Sequence, residues 1–162
     1  MINFLESSIK RLQYYKELGD KTFIRLTDSD FYFCPAADCN SIGVIIQHLH
    51  GNMVSRWTDF LTTDGEKPSR ERDQEFVEHS LTKARLLVLW EIGWDCFLTA
   101  LKNLDNNDLE KIIEIRSEPM TVVDAINRQL AHYPYHVGQI VYIARMIKKE
   151  DWESLSIPRK RN

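Results

Sequence analysis

Two stretches of the chain carry no Asp, Glu, Lys or Arg: residues 39–55, 17 positions, and residues 129–144, 16 positions. Charged residues make up 28% of the 162-residue chain, so their absence over such lengths is informative. Both stretches fall where apolar residues recur at helical spacing. In the first, Ile42, Ile45, Ile46, Leu49 and Met53 form a stripe that continues to Trp57 and Phe60. A helix without charge on any face is read as enclosed by protein. The chain must therefore provide other elements to cover two helices.

Those elements are legible. Residues 2–26 read as a first helix, with Leu5, Ile9 and Leu12 on one face. The second helix is capped by Asn40 or Ser41 and runs to about residue 61. Thr82 caps a third that runs to about residue 104, with Leu86, Leu89, Trp90, Phe97 and Leu101 inward. Thr121, followed by Asp124, starts a fourth that runs to about residue 149. Residues 62–73 combine turn-forming residues with charge and are expected to be an exposed loop. In the 105–120 connection, Ile113 and Ile115 alternate with Glu114 and Arg116, which suits a short extended piece. The expected fold class is all-α, a four-helix bundle with long connections, in one domain over residues 1–162.

Composition closes off several function classes. The net charge is −3, which excludes a broadly basic nucleic-acid footprint. No apolar run is long enough for a membrane span, and Met1 is not followed by a basic start and an apolar run, so neither a span nor a signal peptide is expected. The three cysteines, Cys34, Cys39 and Cys96, suggest no disulfide framework and are read as reduced thiols of a cytoplasmic protein.

Four of the five histidines lie inside the charge-free stretches: His48 and His50 in the first, His132 and His136 in the second. His79 sits in a polar segment and is expected to be solvated. His132 and His136 are four apart, which puts both rings on one helix face, where they can share a metal ion. A bare H-x-x-x-H pair carries little weight alone. A third histidine in the other charge-free helix adds to it, because one ion satisfies three enclosed imidazoles together. His48 and His50 point about 200° apart on a helical wheel, so only one can join, and periodicity leaves open which. Pro134 lies between the paired histidines. It removes a backbone hydrogen bond to Leu130, so the helix either kinks there or begins there.

At these residues the chain resembles the DinB/YfiT-like superfamily of metal-binding four-helix bundles, and within it an uncharacterised bacterial branch. The resemblance rests on SIGVIIQHLHGN at 41–52, SRWTDFL at 55–61, DGEKP at 64–68, RQLAHYPYHVGQI at 128–140 and LSIPR at 155–159. It implies a divalent transition metal, zinc or nickel above all, held by His48, His132 and His136. His50 falls where that superfamily usually has a small residue, and Pro134 departs from its motif. The resemblance further implies a homodimer, and for some members a metal-dependent transfer reaction that uses a low-molecular-weight thiol such as bacillithiol.

Around such a centre, His50, Asn52 and Gln139 are candidates for hydrogen bonding to the ligands. Arg56 and Arg128 are candidate contacts for a small-molecule substrate, and Gly138 is expected to let another helix approach. Trp57, Trp90 and Trp94 are read as core. Three imidazoles leave coordination positions open, as catalytic sites do. An open position suits thiol transfer or hydrolysis. The competing readings are a stress-response or interaction module with a structural metal, and a basic tail, Arg159 to Arg161, that contacts an anionic partner.

Overall fold

The structure is a computed structural model and describes residues 4–157. Four helices carry most of the chain: α1 (Phe4–Phe23), α2 (Ile42–Trp57), α3 (Lys83–Lys102) and α4 (Val122–Lys148). A small antiparallel hairpin, β1 (Ile112–Ile115) and β2 (Glu118–Thr121), precedes α4. No helix is long and apolar enough to cross a membrane among the described residues.

Side-chain caps set three of the helix starts. The hydroxyls of Ser41, Thr82 and Thr121 accept from the backbone N–H of Val44, Arg85 and Asp124, each satisfying a donor that the first turn leaves unpaired. Two helices end earlier than periodicity predicts. α2 stops at Trp57 because Thr58 is extended and Asp59 takes a positive φ of 48°. Phe60 is still buried, but as part of the turn. α1 stops at Phe23, and Leu26 reaches the core from the following turn. The tail Arg159–Arg161 lies outside the described residues.

α2 packs mainly on α3, and α1 on α4. Aromatic rings fill the centre. Tyr133 of α4 meets Trp94 and Phe97 of α3 edge-on, with centroids 5.8 and 5.0 Å apart. The Trp57 indole N–H donates to the Tyr133 hydroxyl (3.1 Å), which donates to Asn52 Oδ1 (3.0 Å). Thus the polar atoms of Trp57, Tyr133 and Asn52 are paired with one another, whereas the buried Trp94 indole nitrogen has no hydrogen-bond partner. Trp57, Trp90 and Trp94 are core residues, as expected.

The 62–73 connection is not simply exposed. Gly65 is buried, and Asp64, Glu66, Lys67 and Arg70 are half-buried. The hairpin turn explains this. Arg116 and Ser117 both have φ of 60°, as a two-residue turn of this hand requires, yet neither is Gly or Asn. Asp64 compensates: its carboxylate accepts from the backbone N–H of Arg116 (2.9 Å), Ser117 (2.7 Å) and Glu66 (2.6 Å). The hairpin and the α2–α3 connection therefore hold each other in place.

Two further expectations are corrected. Cys34 and Cys39 are joined in a disulfide, leaving Cys96 as the free thiol. The chain turns back between them, with Asp38 at φ 60°, and brings their Cα atoms to 5.9 Å. Gly138 admits no neighbouring helix: a Cβ placed there would meet nothing within 4 Å. α4 is charge-free over 129–144 but is not enclosed all round, for Tyr135 and Tyr142 are 62% and 66% exposed.

Candidate metal centre

α4 runs unbroken through Pro134, so His132 and His136 stand one turn apart on the same face. α2 supplies His48 opposite them. Nε2 of His132 lies 3.4 Å from Nε2 of His48 and 3.1 Å from Nε2 of His136. One ligand atom from each of the three lies within 4.8 Å of the others. His50 points away from this cluster. It is half-buried on the wall of a groove of about 920 Å³ that also includes Arg70 and Glu75 but none of the three converging histidines.

The outer nitrogen of each ring settles what the inner one offers. His48 Nδ1 is 2.9 Å from Glu75 Oε2. His136 Nδ1 is 2.8 Å from Gln139 Oε1, and the Gln139 amide nitrogen donates to Tyr135 Oη (3.1 Å). His132 Nδ1 faces Gln129 Oε1 at 3.4 Å. Each of these partners presents an oxygen acceptor, an arrangement that favours the proton on Nδ1 and a lone pair on Nε2. Three lone pairs converging on one point repel one another unless a cation lies between them. The donor set and its geometry fit a divalent transition metal held by imidazoles.

Protonation of His132 or His136 does not supply that cation near neutral pH. Burial, with a contribution from its neighbours His136 and His48, lowers His132 to about 3. Burial also lowers His136 to about 4, although the Gln139 hydrogen bond opposes it.

Charged residues surround the cluster. Burial by itself would raise the Glu75 carboxyl, but hydrogen bonds from His48 and Arg70 outweigh burial and hold it below the usual carboxylate range. Arg70 binds it through two nitrogens, Nε to Oε1 (2.7 Å) and Nη2 to Oε2 (2.9 Å). Glu66 is shared by three arginines: Arg56 (3.1 Å), Arg70 (3.3 Å) and Arg116 (3.1 Å). Arg56 is 4% exposed and its Nη1 has no hydrogen-bond partner. Arg128 is exposed.

The structure thus brings together His48, His132, His136 and Gln139, and separates others from them. His50 hydrogen-bonds to none of the three ligands, and Asn52 serves Tyr133 instead. His79 is exposed and donates to the Gln74 carbonyl, 2.9 Å away. Three residues at the site escape sequence reasoning. Gln129 has a usable signal, because it stands three residues from His132 as Gln139 does from His136. Glu75 and Arg70 have almost none. The one local sign is Phe76, an aromatic in a polar stretch, whose ring packs 4.8 Å from that of His48.

The chain belongs to the family described as Protein of unknown function (DUF1572), whose match spans residues 1–161. No curated protein and no solved structure matches it.

Proposed function

We propose that this DUF1572 protein binds one divalent transition metal through His48, His132 and His136 and uses it in a thiol-dependent transfer reaction. The observation that carries the metal reading is the convergence of three Nε2 atoms, each ring with an oxygen acceptor at its far nitrogen. In this reading the four helices form a bundle of the DinB/YfiT-like type, with the centre between α2 and α4. Zinc and nickel both suit three imidazoles.

The three histidines would hold a metal through three ligands and would leave at least one position open, the arrangement of a catalytic rather than a closed structural site. A divalent ion bound there supplies positive charge that favours the ionised form of a small thiol such as bacillithiol. Glu75, Gln129 and Gln139 keep the imidazoles oriented. Arg56, with an unpaired buried nitrogen and a counter-ion shared with two other arginines, adds positive charge beside the centre. The thiol sulfur forms the new bond to an electrophilic carbon, the thiol proton passes to solvent, and the electrophile's leaving group departs with its bonding pair. A homodimer belongs to the same proposal, with the uncharged, exposed α4 surface of Ala131, Tyr135, Gly138 and Tyr142 as the contact.

The test is a panel of small thiols and electrophiles with metal-loaded protein, with chelated protein, and with metal restored. Thiol consumption that stops with chelator and returns with metal supports the reading. Consumption that is the same with and without chelator rules out the metal as catalyst.

A further inference from the structure

We infer that Glu75 is the residue that positions His48 in this centre, seated in a notch that Gly51 leaves open on α2, and that the α2–α3 connection is thereby part of the site. The inference rests on the metal-binding reading for its ligand. Its geometry is independent of that reading.

His48 and Gly51 are three apart on α2 and so lie on one helix face. The Glu75 carboxylate fills the space beside the glycine. A Cβ at Gly51 would overlap the carboxylate, lying 2.7 Å from its Cδ, so any larger residue would displace Glu75. From the notch, Oε2 meets His48 Nδ1 at 2.9 Å, on the side of the ring away from the Nε2 cluster. An ionised carboxylate only accepts hydrogen bonds, so it selects the tautomer with the proton on Nδ1 and frees Nε2 for the metal. Arg70 holds the carboxylate through two nitrogens and fixes its plane.

Glu75 also joins the centre to the rest of the molecule. It lies in a short 3-10 turn, Arg72–Phe76, whose Phe76 covers the His48 ring. Arg70 reaches Glu66, which in turn holds Arg56 of α2 and Arg116 of the hairpin turn. A buried ion pair alone is weak evidence of a stabilising role, since apolar residues can often replace one without loss. A carboxylate that meets a ligating histidine at its only outward nitrogen has a reason to be charged and buried.

The experiment uses the full chain, with Co(II) as the metal probe. Imidazole nitrogen shifts of the metal-free wild type report the His48 tautomer, and visible absorption and titration report the cobalt site. The expected tautomer is Nδ1–H. Glu75→Gln keeps the shape and removes the charge. Gly51→Ala displaces the carboxylate without changing any hydrogen-bonding group. Both are expected to bind Co(II) roughly 10–100-fold more weakly, with shifted absorption bands, while their helical circular dichroism stays at the wild-type level. An Nε2–H tautomer in the wild type would overturn the inference without any variant. So would folded variants with wild-type Co(II) affinity and spectrum. If the wild type shows the Nδ1–H tautomer and binds no Co(II), the metal reading fails and the inference falls with it. That failure is distinct from one confined to Glu75.

Discussion

The two halves of the centre hold their histidines in different ways. On α4, His132 and His136 are oriented by neutral glutamines of the same helix, each three residues away. On α2, His48 is oriented by a carboxylate 27 residues downstream, which is itself gripped by an arginine. The α4 half is local and forms with the helix. The α2 half is assembled from a connection that must fold back first, so it carries loop-closure entropy as well as a buried charge. Local, neutral support makes the histidine pair easy to form. Distant, charged support ties the third ligand to the tertiary fold.

That difference can be tested by removing one support at a time. Arg70→Met should have the largest effect on stability, because it leaves the Glu75 carboxylate buried without its cation. The expected loss is about 3–5 kcal/mol, read from the denaturant midpoint of the metal-free protein. A loss below about 1 kcal/mol would mean that the charged half is no more costly to break than a surface pair. Gln139→Ala, which removes the neutral support of His136, should cost about 1 kcal/mol in the same measurement, since one hydrogen bond is lost. If it costs as much as Arg70→Met, the contrast between the halves is wrong.

A separate effect should appear with pH. His132 and His136 are held at about 3 and about 4 in the folded chain, below their ordinary value of 6.5. Between those values the unfolded chain binds more protons than the folded one, so protonation favours unfolding. The metal-free protein should keep its full stability above pH 6.5 and lose part of it as pH falls toward 4. The double variant His132→Ala with His136→Ala should show a shallower slope over that window. An equally steep slope in the variant would assign the effect to other groups.

Sequence periodicity reached the elements that local interactions determine. The caps at Thr82 and Thr121, the aromatic core and the one-sided pairing of His132 with His136 all follow from spacings of three or four residues, and Ser41 is one of two candidate caps for α2. It left the choice between His48 and His50 open, because rotation about α2 is decided by packing against α3 and the connection. Glu75 was out of reach for a different reason. Its neighbours read as a solvated segment, and only the docking of that segment on α2 buries it. The charge-free stretches also proved unlike. The first is buried along most of α2, whereas the second leaves an uncharged tyrosine-bearing face in solvent. Absence of charge thus marked the two helices that carry the histidines without showing which faces the monomer covers.

The most direct test of the central claim is the metal content of the purified chain. Wild type and His132→Ala are loaded with zinc or nickel, dialysed free of unbound ion and analysed for metal per chain. The account predicts about one ion per chain in the wild type and little or none in the variant, because His132 is the ligand whose Nε2 lies close to both others. Equal metal in the two proteins, or none in either, would contradict it.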